Sequence, residues 1–440
     1  MKTSGWGNFP VHHAQVNAPY CVEEVIEHIR DGHAIARGNG RAYGDSAIST
    51  NNTISMKHFN RMLAFDDDTG QLVAQAGVLL ADVIHTFLPK GWFPSVTPGT
   101  KLVTLGGMVA ADVHGKNHHK EGSFGHYIDW LDIITSDGEI QRCSKDQHSE
   151  LFYWTIGGMG LTGVVLNVAF RLKPVSTSWI KQRTLTANNI EQAIELFEQT
   201  LDATYSVAWI DCLAKGKALG RSLIMLGEHA GVDDLPAHYK DSPLNYTKKK
   251  KVTVPFHFPS FALNGLTVKL FNKLYYYNGK RQPEHTLIDW DSYFYPLDSI
   301  VGWNKIYGRK GFAQFQCVIP LKDACQGMRE LLHAISAANS GSFLAVLKRF
   351  GKQESGFSFP MEGYTLALDF PISKKTLTLM SQLDEITLKY GGRFYLAKDS
   401  RMAESTFKQS ESRLSEFTDY RSQHIHKDKF LSEQAKRLGL

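Results

Sequence analysis

Three glycine-rich segments set the tightest limits on what this chain can fold into. The first, AIARGNGRAYGDSA (34 to 47), runs from a short apolar strand into the turn Gly38-Asn39-Gly40-Arg41-Ala42-Tyr43-Gly44. In the second, PGTKLVTLGGMVAADVHG (98 to 115), small residues follow Gly106 and Gly107, and the third is TIGGMGLTG (155 to 163). Glycine lets a backbone turn sharply and aim several N–H groups at one point, which suits a phosphate. A single G-x-G is equally compatible with an ordinary tight turn. Three such segments together point to a large anionic ligand lying along backbone amides, such as a dinucleotide diphosphate. The spacing is not a Rossmann fingerprint, because Tyr43 holds the last glycine position, and no Gly-Lys-Ser/Thr follows as in a Walker loop.

A chain of 440 residues exceeds one ordinary core and predicts two domains with a C-terminal extension. An apolar content of 42% is that of a soluble globular protein. No apolar run approaches the roughly eighteen residues of a membrane span. The start, MKTSGWGNFP, lacks the apolar centre of a signal peptide, so a cytoplasmic protein is expected. The five cysteines (Cys21, Cys143, Cys212, Cys317, Cys325) are scattered, which argues against a disulfide framework and a zinc site. A net charge of +5 is too weak to imply nucleic acid. The charge is uneven, however: YTKKKKVTVPFHFPSF (246 to 261) sets four lysines beside an apolar, aromatic stretch. Such a run reads first as a solvated loop and second as a patch for anionic lipid headgroups.

Hydrophobic spacing predicts a helix over 21–30, a hairpin over 62–77 around DDTG, a helix over 79–91 and a hairpin over 129–144 turning at Asp137-Gly138. A strand over 164–175 ends at a proline. Beyond Pro174 the texture changes to strands alternating with long helices: WIKQRTLT, a helix over 190–201, YSVAWIDCL, FAQFQCVIP (312 to 320), a helix from Lys322, FLAVLKRFG (343 to 351), YTLALDFPI (364 to 372) and a final long helix. That order predicts an α+β domain with helices covering one face of a sheet. Residues 232–300 have weak periodicity and read as long loops.

The string ADVHGKNHHKEGSFG (111 to 125) holds three histidines. Paired histidine ligands four apart need a helix to share a face. His114 and His118 have the spacing, but Gly115 interrupts the segment and no nearby Asp, Glu or Cys completes a set. No metal is expected. His118 and His119 read as polar loop residues, whereas His114 and Lys116, beside a glycine cluster, read as groups facing a ligand.

RGNGRAYGDSA, PGTKLVTLGGMVAADVHGKNHHKEGSFG, GGMGLTG and FYLAKDSRM occur in an order and spacing that resembles the FAD oxidoreductases of the vanillyl-alcohol-oxidase, or p-cresol-methylhydroxylase-type, superfamily. The likeness runs over nearly the whole chain and includes FYPLDSIVGWNKIYGRKGFAQFQCVIP (294 to 320) and VLKRFG (346 to 351). Within the superfamily it is similar to the branch that oxidises a ribose carried on a polyprenyl phosphate. The resemblance implies an α+β fold in two parts: a PCMH-type FAD-binding domain over 1–177, a substrate or cap domain with an antiparallel sheet over 178–392, and a segment 393–440 returning to the FAD domain. It implies non-covalent FAD, because Arg41 stands where relatives often carry the histidine that bonds the flavin ring.

By the same likeness, Arg37, Gly38, Asn39, Gly40, Arg41, Ala42, Tyr43, Gly44, Asp45 and Ser46 line the cofactor. So do Gly99, Thr104, Leu105, Gly106, Gly107, Ala111, Asp112, Val113, His114 and Gly163, with Tyr395 near the ring. Lys398 matches the lysine at the reacting sugar. At the end of the apolar strand RFYLA its stem is partly buried, so it acts either as a base that has lost its proton or as a cation holding the substrate oxygen. His114 polarises the flavin or relays a proton. Lys116, Gln314, Gln316 and Lys348 match substrate-pocket positions, with Lys348 suited to a phosphate and Gln314 and Gln316 alternating onto one strand face. Ala367 falls where mycobacterial members carry a cysteine, so reagents that need that thiol should fail here.

The activity implied is FAD-dependent oxidation of the 2′-hydroxyl of a polyprenylphosphoryl-β-D-ribose to the keto sugar. This is the first half of an epimerisation to arabinose for cell wall polysaccharide, finished by an NAD(P)H-dependent keto-reductase partner. The competing readings are a soluble aldose or alditol oxidase using oxygen and a membrane-surface flavin-binding scaffold without catalysis. The lipid-linked substrate also implies peripheral contact with the inner membrane surface.

Overall fold

The computed structural model describes residues 1–246, 251–259, 263–426 and 429–440. Lys248 to Lys250 of the lysine run lie outside the described residues. Among those described, no helix is long and apolar enough to cross a membrane.

Three sheets build the first part of the chain, the smallest a hairpin of Lys2–Ser4 and Val11–His13. Val16–Asn17, Thr53–Ser55 and Ile35–Arg37 form a small parallel sheet, and Ile35–Arg37 delivers the chain into the first glycine turn. A six-stranded sheet runs in the order Ile140–Ser144, Ile128–Ile134, Val164–Pro174, Gln71–Gln75, Met62–Phe65, with Trp92–Pro94 on the far end of Val164–Pro174. Both predicted hairpins are present in it. The helix Leu80–Phe87 passes into a short 3-10 turn and stops at Gly91, whose φ of 84° places it in the left-handed region that glycine tolerates. Phe93, Phe124, Val168 and Phe170 close the core over this sheet.

The second part is an eight-stranded antiparallel sheet: His285–Asp289, Trp179–Ala187, Ser222–His229, Tyr205–Ile210, Ala345–Phe350, Gly363–Pro371, Phe312–Pro320, Arg393–Phe394. Alternation divides its residues between two faces. Phe315, Cys317, Leu366 and Leu368 belong to one large core with residues of the helices Ile190–Gln199, Ala324–Ala338 and Lys374–Lys389. The register then fixes what the other face presents: Gln314 opposite Asp369, Gln316 opposite Ala367, and Lys348 opposite Thr365.

The chain end returns to the first glycine turn's strand. Ala34 N donates to Lys429 O at 2.7 Å and Leu431 N to Ala34 O at 3.0 Å. Arg437 reaches Asp45 and Asp399 at 2.9 and 2.8 Å.

Two expectations need correction. Residues 232–300 are not mainly loop: they hold the helix Gly265–Lys280, the strand His285–Asp289 and the helix Trp290–Phe294. Their periodicity is weak because Gly265–Lys280 is apolar on two sides, which blurs the single-face pattern. The strand around RFYLA is also shorter than expected. It covers Arg393–Phe394, and the chain then turns, with Lys398 N donating to Tyr395 O.

Candidate active site

The first glycine turn is braced from outside and open inside. Arg37 donates to Ala47 O and Ser4 O at 3.3 and 2.8 Å, so its guanidinium secures the turn's flanks. Asn39 Nδ2 donates to Leu102 O at 2.7 Å, tying the first segment to the second. A Cβ at Gly38 would collide with Thr104 Oγ1, so the two segments touch. Gly40 sits at φ 63°. Among the described residues, the backbone N–H groups of Gly38 to Ala42 donate to no protein acceptor. A run of such amides is a built anion cradle.

The second segment contributes differently from expectation. Thr104 caps the helix Leu105–Ala110, and its amides are already engaged: Leu105 N with Val78 O, Gly106 N with Ala76 O, and Gly107 N with Thr104 Oγ1. The free amides therefore belong to the turn and not to this helix start. Leu105 is fully buried. Space is left at Gly99, whose missing side chain would meet nothing within 4 Å. The third segment closes on the helix end, where Gly157 N and Met159 N donate to Val109 O and Ala110 O at 3.0 and 2.8 Å. Gly163 lies farther along, where a Cβ would meet Ile133 at 2.5 Å; its role is close packing on the sheet.

Asp112 and Asp45 are spent on structure. Asp112, at φ 36°, accepts from Gly125 N, Ser123 Oγ and Gln353 Nε2 at 2.8, 2.6 and 2.9 Å. Asp45 turns toward Arg437 in the C-terminal tail. Ser46 and Val113 are buried beside them.

His114 is buried in a ring cage of Phe350, Phe359 and Tyr395, with the Tyr395 centroid 5.0 Å away. Tyr395 OH donates to Ala111 O at 3.2 Å, and its ring stacks on Phe359 at 4.8 Å. Burial, reinforced by the Lys348 charge, holds His114 well below the ordinary imidazole range, so the ring is neutral. Its Nε2 accepts from Gln316 Nε2 at 3.4 Å, while Nδ1 has no partner among the described residues. His118 is not a loop-surface residue: it is 1% exposed, bonded to Gln353 Oε1 at 2.6 Å, and burial pushes it down to about 3. His119 is tied to Ala203 O at 2.7 Å. The short helix His118–Glu121 turns both inward.

Lys398 stands in the turn after Tyr395, with its Nζ 3.8 Å from the Tyr43 ring centroid. Tyr43 N donates to Ala397 O at 3.0 Å, and Gly44 lies so close to Asp399 and Ser400 that no Cβ fits. Lys398 is enclosed by protein yet only half-buried as a residue. Burial lowers its proton affinity and Asp369 raises it. Asp369 is buried in turn, which raises its own proton affinity, against Gln314 Nε2 at 2.6 Å and Tyr307 OH at 3.5 Å. Lys348 and Lys116 are each pushed down to about 7 by burial, with Lys348 lowered further by Lys398 and Lys116 by Lys348. Lys116 Nζ donates to Tyr293 O and lies over the Tyr293 ring at 4.0 Å.

Sequence reasoning missed Asp369, Tyr307 and Thr365, which bonds Gln316 at 3.3 Å. A period-two reading outward from Ala367 would have found Thr365 and Asp369 on its face. Tyr307 carries no local signal, because it arrives from a 3-10 turn over Trp303–Tyr307.

The cradle suits a dinucleotide. Beside its free amides, Arg41 stacks on Trp6 at 4.1 Å with its buried Nε unpartnered, and buried Ser400 Oγ is unpartnered as well. Residues 15–144, which contain the turn, match the family model described as FAD binding domain. The class is thus that of FAD-dependent oxidoreductases. The chain is 34% identical to decaprenylphosphoryl-beta-D-ribose oxidase of Mycolicibacterium smegmatis, over 100% of this chain and 97% of that one. It is 32% identical to an uncharacterized protein in the mprA 5'region of Streptomyces coelicolor, over 82% and 100% of the two chains. L-gulonolactone oxidase of Bos taurus is 30% identical over 35% of this chain and 37% of its own. The chain belongs to the FAD-linked oxidoreductases of the vanillyl-alcohol-oxidase, or p-cresol-methylhydroxylase-type, superfamily, in the branch of decaprenylphosphoryl-beta-D-ribose oxidase.

Proposed function

We propose that this enzyme oxidises a sugar hydroxyl on a polyprenyl-phosphate carrier, taking the 2′-hydroxyl of polyprenylphosphoryl-β-D-ribose to the 2′-keto sugar. A separate NAD(P)H-dependent reductase then completes the epimerisation to arabinose. The observation that carries this reading is that Asp369, Gln314, Gln316 and Lys348 share one sheet face, with Lys398 in the adjoining turn seated on Tyr43 of the glycine turn whose amides 38–42 are free. The full-length likeness to a lipid-linked ribose oxidase supports it. In this reading residues 1–177 and 393–440 hold FAD and 178–392 form the substrate cap.

Bound FAD supplies the two-electron acceptor for the carbinol hydride. The protein supplies position and the proton path. The amides of 38–42 and Arg41 would hold the diphosphate, and Ala111–His114 with Tyr395 would line the site of the ring. Gln314 and Gln316 orient sugar hydroxyls. Lys348 and Lys116 take the substrate phosphate, which restores the charge that burial costs them. Lys398 Nζ, in its neutral form, accepts the hydroxyl proton, and the resulting ammonium is held by Asp369 and the Tyr43 ring. A base whose proton affinity is lowered toward the working pH suits this task.

The test is anaerobic. Flavin bleaching and a keto product are expected with a polyprenylphosphoryl ribose, and no bleaching with free aldoses or alditols. Bleaching by free polyols alone overturns the lipid-linked reading. Denaturation should release the flavin into the supernatant, because Arg41 offers no covalent tether; flavin retained in the precipitate contradicts that part.

A further inference from the structure

The helix Gly265–Lys280 is fastened to the body by one face and offers a second apolar face outward. Asn264 caps it, accepting from Leu266 N and Thr267 N at 2.8 and 3.1 Å. Val268, Asn272 and Tyr276, four apart, are buried. Asn272 Nδ2 donates to Asp211 Oδ1 at 3.0 Å, and Tyr276 OH to Ala187 O at 3.3 Å. These anchors fix the helix's rotation. Leu266, Leu270 and Leu274 are also four apart but two residues out of step, so they point away from the body. They are 76%, 58% and 56% exposed. Tyr277 shares their side, and Lys269, Lys273 and Lys280 line one flank, all exposed.

A helix meant only for solvent would put charges where the leucines stand. Instead no acidic residue occurs between 265 and 280. An outward leucine ridge beside a lysine flank, with an aromatic at the boundary, is the make-up of a helix lying in a lipid headgroup layer. The charge complements an anionic lipid surface and disfavours a second copy, because two such helices face to face would oppose lysines to lysines.

The ridge also stands near the pocket. Phe271 and Tyr275 of the same helix pack on Phe343 and Trp209 at 5.8 and 4.7 Å. Phe343 stacks on Tyr307 at 5.8 Å, and Tyr307 bonds Asp369.

We propose that Gly265–Lys280 is a membrane-docking helix. Leu266, Leu270 and Leu274 enter the acyl boundary of an anionic leaflet, and Lys269, Lys273 and Lys280 contact lipid phosphates. Docking there sets the pocket beside the surface that holds a lipid-linked sugar, and for that purpose alone the inference rests on the function proposed above.

The experiment is co-sedimentation of the FAD-loaded protein with vesicles of phosphatidylcholine alone or mixed with phosphatidylglycerol. Binding to the mixed vesicles that weakens with salt is expected. The combined variant Leu266→Ser, Leu270→Ser, Leu274→Ser should bind at least tenfold more weakly, with unchanged flavin spectrum, melting temperature and turnover of a short-chain, water-soluble substrate analogue. Lys269→Glu with Lys273→Glu should abolish the preference for anionic vesicles. Native protein left in the supernatant of both vesicle types overturns the proposal, as does a serine variant that sediments like the native protein. A native dimer that the serine variant splits into monomers assigns the ridge to a second copy and overturns it too. Vesicle binding without oxidation of a lipid-linked sugar retires the functional reading and leaves the helix's role standing. Oxidation in detergent without vesicle binding does the reverse.

Discussion

Lys398 Nζ lies 3.8 Å from the centre of the Tyr43 ring, so a lysine near the end of the chain is seated on the glycine turn near its start. The ring's negative face stabilises the ammonium. Asp369 does the same by charge, and burial opposes both.

These opposing effects set a pH profile. The neutral amine is the working base, so oxidation should rise with pH through a limb lying below the ordinary lysine value of about 10.4. Asp369→Asn removes a charge that favours the ammonium, and the limb should move to lower pH. Lys398→Met should slow substrate-driven bleaching by roughly 10²–10⁴-fold with flavin retained. The check is kcat/KM against pH for the three proteins; a limb that stays put in Asp369→Asn removes Asp369 from the proton path.

Gly38→Ala forces a methyl against Thr104 Oγ1. The added group should cost about 1–3 kcal/mol, the usual penalty for overpacking. Adding Thr104→Ala should restore part of the FAD affinity, less the lost cap of Leu105–Ala110. Flavin titration of the single and double variants reads this directly, and absence of any rescue breaks the link between the two segments.

Arg437 bridges Asp45 and Asp399, whose side chains are 3% and 7% exposed. Arg437→Met strands two buried carboxylates, and the loss should be on the order of 3 kcal/mol. A thermal melt should show it, together with weaker flavin retention, because Asp45 follows the turn directly.

His229 and His118 are each held down to about 3 by burial. Their folded proton affinity lies below the unfolded value near 6.5, so the unfolded chain binds more protons between those limits. Their stabilising contribution is complete above pH 6.5 and drains away as pH falls toward 3, by about 1.4 kcal/mol per pH unit for each group. His229→Leu should flatten that acid limb in melting temperature against pH. A slope unchanged from the native protein contradicts the assignment.

The legible parts were those written in local spacing. The hairpin at Asp137-Gly138, the helix ending at Gly91 and the strand Phe312–Pro320 follow from turn residues and alternation. The glycine turn announced an anion cradle because glycines at 38, 40 and 44 let the backbone turn sharply, and its amides 38–42 find no protein acceptor among the described residues. Asp369 stayed hidden because an aspartate in an apolar strand looks like any solvent-facing alternate. Only strand pairing sets it opposite Gln314. His118 misled for a similar reason: its short helix turns it inward, and nothing local says so.

The sequence by itself determined most elements outside 232–300, the small-residue turns and the full-length family likeness, all properties of neighbours along the chain. Tertiary structure alone decided which amides remain free, that Lys398 rests on Tyr43 beside Asp369, and which face of Gly265–Lys280 is left outward. These depend on how far-separated segments exclude water from one another, and burial of that kind is set by the packed whole.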